Sequence, residues 1–406
     1  MPLSKILLCF LAAAAIALTG CGAVRPPDVR QADGLARAHA RGELIQLEAL
    51  GPLERARLQQ IASEFPGKIA VAGGASLYRV VYWTPYRGRL VAASGLYAVP
   101  TGAAAAKGTV VYLHGTQITR AASPSQPQRV DGNEETAVFA GNGYEVVLPD
   151  YIGLGVSTEP QAYLIAAAQV DATLDLLRAV RSASIGLGRD AAPSLYLMGF
   201  SQGGQSAAAV HRALEREPLA GYRLRGSIGI AGPYDLRALV VNKLTPAHAA
   251  APNNAGYFAF IANAYSGHYG HALDETLTAE YAAAVPALFD GSKTPEQLAP
   301  VLPEDARRLF RPEFLHALQA DQDNWLTRAL DENRTDHWAP VAPFRIYYGD
   351  DDSDVLPQSA KTFYAYAKAH GGNVSLDALG AVDHWNSAAL TYAPALAWFD
   401  ALSAVK

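Results

Sequence analysis

The five residues GFSQG, at positions 199–203, place Ser201 between two glycines, each two residues away. The apolar run 195–200 has the character of a strand, and residues 202–216 have the character of a helix. On a tight strand-to-helix turn, side chains larger than glycine would collide at those two positions, and the serine is held exposed. The N–H groups that begin the helix also favour negative charge beside the serine. The pattern predicts a nucleophilic serine.

A serine hydroxyl attacks a carbonyl carbon only with the help of a base and an orienting carboxylate. When the serine lies on such a turn, the acid comes later in the chain and the histidine comes last. The run GDDDSD, at 349–354, follows the predicted strand FRIYY at 344–348. We predict that Asp352 is the acid, and Asp354 remains the alternative.

His384 comes after these acids, in the required chain order. It lies between a predicted strand, 373–379, and an apolar helix predicted from about residue 387 to residue 402. This position predicts a loop at the same edge of the sheet as the serine, so we predict that His384 is the base. The other histidines fit ordinary structural positions; His211, for example, fits a solvated helix face.

An attacked carbonyl develops negative charge on its oxygen, and backbone N–H donors must stabilise that charge. Loss of one such donor costs about 2.7 to 4 kcal/mol. The N–H of Gln202, directly after the serine, is one predicted donor. The loop HGTQ (114–117) follows the predicted strand 108–113, and the N–H of Thr116 is the second predicted donor. We expect His114 to shape this loop rather than to act as a second base.

The alternation of Asp350, Asp352 and Asp354 also raises a calcium loop as an alternative. A helix–loop–helix calcium site has glycine at its sixth position and glutamate at its twelfth. Counted from Asp350, those positions hold Val355 and Lys361. The sequence therefore predicts no metal at these aspartates.

Strands and helices alternate from residue 108 onward, which is typical of the α/β class: a mostly parallel central sheet with helices on both faces. From about residue 233 to residue 340 this rhythm is missing and the sequence is helical in character. We predict that this segment is a cap over the active face, with a separate small domain as the alternative. Further predicted elements are an antiparallel hairpin at 77–83 and 90–99 and helices within 43–65 and over 161–182.

The N-terminal residues have the pattern of an export signal. Lys5 precedes an apolar segment, 6–18, that is too short to span a bilayer comfortably. The box LTGC at 18–21 resembles the bacterial lipoprotein signal, which implies cleavage before Cys21, lipidation of Cys21 and attachment to a membrane. An ordinary secretory signal is the alternative.

These patterns predict a signal peptide at 1–20, a tether at 21–40 and an α/β domain at 41–406. Gly22 stands where an aspartate would suggest retention in the inner membrane, so the resemblance implies an outer-membrane protein that faces the periplasm or the cell surface. The other cysteine, Cys9, lies within the signal peptide. The mature chain would therefore keep one cysteine and form no internal disulfide.

The composition excludes one class of partner. Of the 406 residues 50% are hydrophobic and 17% are charged, which is typical of a globular protein. A formal net charge of −5 provides no basic surface of the kind that nucleic acids require. We expect no nucleic-acid partner.

Several segments together resemble the α/β-hydrolase superfamily and, within it, the secretory lipases of the fungal lipase A type and their bacterial relatives. They are YRVVY (78–82), GLYAVP (95–100), HGT (114–116), PDYIGLG (149–155), GFSQGG (199–204) and the large insertion before the acid loop. The resemblance covers most of residues 75–400. It implies a serine carboxylic-ester hydrolase that works through an acyl-enzyme, with a cap that forms the acyl pocket and with no metal or organic cofactor. The loop DSDVLP (352–357) reaches its proline one residue later than the family pattern, which keeps Asp354 open as the acid.

We therefore expect an esterase or lipase for small-molecule or lipid esters, in which Ser201 attacks, His384 carries the proton and Asp352 orients the imidazole. The sequence leaves the acyl-chain length and the alcohol open. One alternative is a peptidase or amidase for small substrates with the same three residues. The other is a non-catalytic lipoprotein that uses the fold for binding.

Overall fold

The computed structural model describes residues 39–102, 105–320 and 322–404. The predicted signal peptide, Cys21 and all but the last two residues of the predicted tether lie outside the described residues. The described residues belong to one compact unit, His39–Lys406. Within them, no helix is both long enough and apolar enough to cross a membrane.

In chain order the strands of the described residues, β1 to β9, are Leu44–Leu53, Ala75–Tyr86, Arg89–Pro100, Thr109–Leu113, Glu145–Pro149, Ser194–Phe200, Arg223–Ile230, Phe344–Tyr348 and Val374–Ala378. They form one sheet, in the order β1-β2-β3-β5-β4-β6-β7-β8-β9. The pairs β1–β2, β2–β3 and β3–β5 are antiparallel, and the other five pairs are parallel. The mostly parallel α/β sheet predicted from the sequence is confirmed.

Helices cover both faces of this sheet, because successive residues of its buried strands point to opposite sides. The α-helices of the described residues, α1 to α13, are Arg55–Ala62, Pro127–Val130, Glu134–Val138, Ala166–Gly186, Gln202–Arg216, Leu236–Lys243, Asn254–Tyr269, Ala279–Leu288, Pro295–Leu298, Pro312–Gln319, Trp325–Glu332, Gln358–Ala369 and His384–Ala404. Val111 and Leu197 pack in a cluster with residues of α4 and α5, whereas Val110 and Tyr196 pack in a second cluster with residues of α1, α3 and α13.

The helix predicted within residues 43–65 is present as Arg55–Ala62, and the strand that precedes it was not predicted. Residues Leu44–Leu53 are strand β1, which pairs antiparallel with β2 at the edge of the sheet, and only Arg55–Ala62 are helical. The backbone hydrogen bonds to β2 make these residues a strand. This pairing depends on a distant segment and cannot be predicted from the local spacing of apolar residues. The edge position also tolerates Pro52, which lacks an N–H.

The long helix predicted over 161–182 begins later, at Ala166. Residues 161–165 form a buried irregular segment in which Leu164 has a positive φ of 56°. The side chain of Gln161 donates a hydrogen bond to the carbonyl of Ile118, 2.8 Å away. This tertiary contact holds the segment in a non-helical path beside the loop that follows β4.

The segment between β7 and β8 contains the helices α6 to α11. Its Phe258, Phe260 and Tyr265 belong to the same hydrophobic cluster as Val111 and Leu113 of the sheet. The predicted helical character is therefore present, and we call residues 233–340 the cap. The exact domain bounds of the chain stay a prediction.

Candidate active site

Ser201 lies between β6 and α5 with φ +56° and ψ −121°, a backbone conformation that an L-residue rarely adopts. The two flanking glycines make this turn possible. A Cβ at Gly199 would overlap the carbonyl oxygen of Gly203, and a Cβ at Gly203 would overlap the carbonyl oxygen of Leu113. The tight strand-to-helix turn that the spacing of GFSQG predicts is the one observed.

His384 joins the serine to an acid through both of its ring nitrogens. Nε2 lies 2.9 Å from Oγ of Ser201, and Nδ1 lies 2.7 Å from Oδ2 of Asp352. With the proton on Nδ1 donated to the carboxylate, Nε2 is free to accept the serine hydroxyl proton. The three side chains are 3 to 8% exposed, so water screens their interactions little.

The predicted loop position of His384 is wrong, because this residue is the first of α13. The helix starts three residues earlier than its apolar pattern indicates. The hydroxyl of Ser387 donates to the carbonyl of His384 over 2.6 Å within this first turn. The predicted base therefore lies on an α-helix. The ring centroid of Phe200 is 4.7 Å from that of the His384 imidazole.

Asp352 is held as the partner of His384 by its own loop. Its Oδ1 accepts hydrogen bonds from the backbone N–H groups of Asp354, at 2.9 Å, and Val355, at 2.8 Å. With Nδ1 of His384 on the other oxygen, the carboxylate has donors on both sides. The structure brings Asp352, and not Asp354, to the histidine.

Asp354 instead lines a small cavity next to Ser201, together with Lys243 of α6. Burial raises the pKa of Asp354 and lowers the pKa of Lys243, although each opposite charge favours the ionised form of the other. The ammonium of Lys243, a side chain only 1% exposed, donates to the carbonyl of Ser353 in the acid loop. This aspartate therefore has surroundings quite different from those of Asp352.

Thr116 and Gln202, the two predicted oxyanion donors, line the same cavity as Ser201. The structure records no hydrogen bond from the backbone N–H of either residue to another group of the described chain. The hydroxyls of Thr116 and Tyr163 lie 2.9 Å apart and hydrogen-bond to each other, which ties the loop after β4 to the segment before α4. Both N–H groups are thus available to a bound carbonyl oxygen.

His114 has the surroundings of a residue that shapes this loop. Its Nδ1 lies 2.7 Å from the carbonyl oxygen of Gly115, and its ring packs 4.1 Å from that of Tyr151. Burial lowers the pKa of His114 to about 4. Its hydrogen bonds to backbone carbonyls raise the pKa, but by less than burial lowers it. It has no recorded contact with Ser201 among the described residues.

Thr116 lies in the walls of three cavities. The one that contains Ser201 has a volume of about 30 Å³. A cleft of about 630 Å³ lies between the cap and the loop after β4, and its wall includes Phe260, Phe289 and Trp385. The third cavity, of about 340 Å³, is lined by Glu134 and Glu135 and also reaches Trp385. A further cavity of about 710 Å³ lies within the cap and touches none of the predicted catalytic residues.

The three alternating aspartates do not converge on a common point as calcium ligands would. Asp352 is engaged by His384, whereas Asp350 and Asp351 are exposed. Among residues 39–102, 105–320 and 322–404, no cluster of three or more His, Cys, Asp or Glu side chains could hold a metal ion.

Sequence reasoning missed several residues around the site. Tyr163, Lys243 and Asn254 carry no motif, since the first lies on an irregular segment and the others lie on helices of the cap. It also placed His211 on a solvated helix face, which is wrong. That side chain is fully buried in α5, where its ring nitrogens bond to Ser227, at 2.7 Å, and Glu215, at 2.9 Å.

No protein-family model matches the chain, and no curated protein sequence matches it. Solved structures do match. A protein from Legionella pneumophila, provisionally described as a hydrolase, is 23% identical with a TM-score of 0.83, over 90% of this chain and 99% of the other. The rice cell wall degrading esterase LipA from Xanthomonas oryzae is 25% identical with a TM-score of 0.77, over 90% and 97%. Lipase A from Candida antarctica, in its closed state, is 16% identical with a TM-score of 0.66, over 90% and 83%. The chain has an α/β-hydrolase fold of the lipase A type.

Proposed function

We propose that this chain is a serine hydrolase that cleaves carboxylic esters through an acyl-enzyme. The observation that carries the proposal is the continuous set of hydrogen bonds from Ser201 through His384 to Asp352. The strained turn at Ser201 and the two unengaged N–H groups beside it add what acyl transfer requires. The likeness of the fold to an esterase and a lipase agrees with this chemistry.

In the first half-reaction, Oγ of Ser201 attacks the ester carbonyl carbon while Nε2 of His384 takes its proton. The N–H groups of Thr116 and Gln202 donate to the oxyanion that forms. Asp352 stabilises the imidazolium. The C–O bond to the alcohol then breaks, and Nε2 gives the proton to the departing alkoxide. Water repeats the sequence on the acyl-enzyme, which releases the acid and the free serine.

A peptidase or amidase would use the same residues, and the leaving group alone distinguishes it. Matched 4-nitrophenyl ester and 4-nitroanilide substrates with the same acyl group separate the two functions. We expect a higher kcat/KM for the ester than the difference in intrinsic reactivity explains. A preference for the anilide would assign the site to amides.

The cellular location is the second part of the proposal and is supported by the sequence alone. Residues 18–21 and Gly22 favour a chain that is anchored in the bacterial envelope by a lipid on Cys21, in the outer membrane. The anchored enzyme would meet small-molecule or lipid esters at the membrane.

The direct test is labelling with a fluorophosphonate, which reacts with activated serines. We expect the purified protein to be labelled and Ser201→Ala to be unlabelled and inactive on esters. Ser206→Ala, a matched change in the same helix whose hydroxyl is bonded to the carbonyl of Gln202, should retain labelling. An unlabelled wild-type protein would support the non-catalytic alternative.

A further inference from the structure

The small cavity beside Ser201 has a polar wall that the proposed mechanism does not use. Asp354, Lys243 and Asn254 line it together with the serine, whereas much of the remaining wall is apolar or aromatic, as at Leu239. Lys243 and Asn254 are 1% and 0% exposed. Buried polar groups are costly unless they are hydrogen-bonded, so we expect a bound ligand to form hydrogen bonds with this wall.

Asn254 has the clearest unmet requirement. Its Nδ2 donates to the carbonyl of His248 over 2.8 Å, which fixes the orientation of the amide. Its Oδ1 is buried and has no hydrogen-bond partner. An occupant that donates a hydrogen bond from within the cavity would satisfy this oxygen.

Lys243 and Asp354 add a donor and an acceptor to the same wall. The structure records no direct ion pair between these two side chains, although their charges influence one another. The ammonium of Lys243 uses one N–H on Ser353, which leaves further N–H groups. A hydroxyl, which donates and accepts at once, is the small group that matches this set.

The volume of the cavity limits the size of its occupant. About 30 Å³ is available, and a water-sized group needs roughly 10–15 Å³ in the same measure. The cavity therefore holds about two non-hydrogen atoms beyond a carbonyl at Ser201.

The position of His384 decides which part of the ester lies there. Nε2 must return its proton to the departing alkoxide, so the alcohol leaves on the side of the histidine. Trp385, the residue after His384, lines the cleft of about 630 Å³ and the cavity of about 340 Å³ but does not line the small cavity. The alcohol therefore lies outside the small cavity, which leaves that cavity to the acyl group. Of the two spaces beside Trp385, the cleft is the larger, and the other has Glu134 and Glu135 in its wall, so we assign an apolar alcohol to the cleft.

We propose that the small cavity is an acyl site for short 2-hydroxyacyl groups, in which Asp354, Lys243 and Asn254 bind the hydroxyl, while the large cleft takes a bulky apolar alcohol. This inference rests on the proposed function, because it assigns the substrate of the same serine. Sites built to bind a hydroxyl reject the analogue without it by about 10⁴ to 10⁵ in the strongest cases.

Phenyl hydroxyacetate and phenyl propionate provide the test, because their acyl groups have the same number of non-hydrogen atoms and differ by OH against CH₃. Each kcat/KM is divided by the rate of hydroxide-catalysed hydrolysis of the same ester. We expect the corrected value for hydroxyacetate to exceed that for propionate by at least about tenfold. Phenyl octanoate should be at least about tenfold worse than propionate, because its chain exceeds the cavity.

Variants separate recognition of the hydroxyl from support of the acid loop. Asp354→Asn and Asn254→Leu should lower the hydroxyacetate-to-propionate ratio about tenfold, while both proteins still react with a fluorophosphonate. Asp351→Asn, an exposed change in the same loop, should keep the wild-type ratio. If the residues were only structural, both esters would slow equally and the ratio would not move, which would overturn the inference.

The remaining outcomes are distinct. In one outcome Ser201 is labelled and phenyl acetate is cleaved, but the enzyme does not prefer hydroxyacetate over propionate, or it prefers octanoate. That result overturns the acyl-site inference and leaves the esterase proposal standing. No labelling and no cleavage of any ester overturn the proposed function and the inference with it.

Discussion

The backbone N–H of Asp354 donates a hydrogen bond to Oδ1 of Asp352 over 2.9 Å. Two carboxylates that are two residues apart in the chain are thereby given separate surroundings. One receives His384 and two N–H groups of its own loop, and the other lines the cavity beside Lys243. The backbone of the second acid helps to hold the first.

Replacement of Asp352 by asparagine should lower kcat for phenyl acetate by about 10⁴-fold. The backbone N–H groups of residues 354 and 355 would hold the amide oxygen, so the amide NH₂ would donate to Nδ1 and the histidine would lose its productive tautomer. Asp354→Asn keeps the backbone N–H bond to residue 352 and should lower kcat far less. Asp351→Asn is the control for a charge removed from the same loop. Steady-state kinetics of the three variants check the assignment, and the larger loss in Asp354→Asn would transfer the role to that residue.

Gly203→Ala should prevent the strained turn from forming in its present geometry. The added Cβ would overlap the carbonyl oxygen of Leu113, so we expect a loss of about 3 kcal/mol in the free energy of unfolding and no labelling of Ser201. Gly186→Ala is the control, because a Cβ there meets nothing within 4 Å. It should change stability by less than about 1 kcal/mol. Wild-type labelling and stability in Gly203→Ala would contradict this account of the turn.

Local sequence patterns were sufficient to predict the structure where it depends on a single short segment of the chain. The turn at Ser201 depends on two glycines beside it, so the spacing of GFSQG predicts it directly. The chain order of acid and histidine follows from strands that end at one edge of a parallel sheet. The missing strand–helix rhythm over residues 233–340 predicted a helical insertion, and the structure has helices there.

Residues that depend on distant partners could not be predicted in the same way. Leu44–Leu53 form a strand because β2 lies beside them, and His211 is buried because Ser227 of β7 lies opposite it. The polar wall of the small cavity is assembled from two cap helices and the acid loop, which are far apart in sequence. No pattern in the sequence indicates that Asn254 and Asp354 line the same cavity.

Tyr163→Phe should lower kcat by about 2- to 10-fold with little change in KM. The hydroxyl of Tyr163 bonds to Oγ1 of Thr116, and loss of a hydrogen bond worth about 0.5–1.5 kcal/mol would loosen the loop that carries an oxyanion donor. Tyr364→Phe on α12, away from both cavities, is the matched control. An effect on KM alone would instead place Tyr163 in substrate binding.

Cys21→Ser should release the protein from the membrane. We expect the wild-type chain to incorporate a labelled fatty acid and to sediment with membranes, and the variant to do neither, because lipidation requires the thiol. Cys9→Ser alters the other cysteine of the chain, within the predicted signal peptide, and should leave both properties unchanged. Membrane association and labelling that survive in Cys21→Ser would favour an ordinary secretory signal.

His114 should make the protein less stable in mild acid. Burial holds its pKa at about 4 in the folded chain, against 6.5 for an ordinary histidine. Below pH 6.5 the unfolded chain therefore binds a proton that the folded chain does not, and the free energy of unfolding falls as the pH drops toward 4. The loss is about 3 kcal/mol when complete. Denaturant unfolding of wild type and His114→Gln between pH 7 and pH 4 measures it, with His370→Gln, an exposed substitution, as the control. The difference between wild type and His114→Gln should shrink as the pH falls, and a difference that stays constant would mean that His114 is protonated alike in both states.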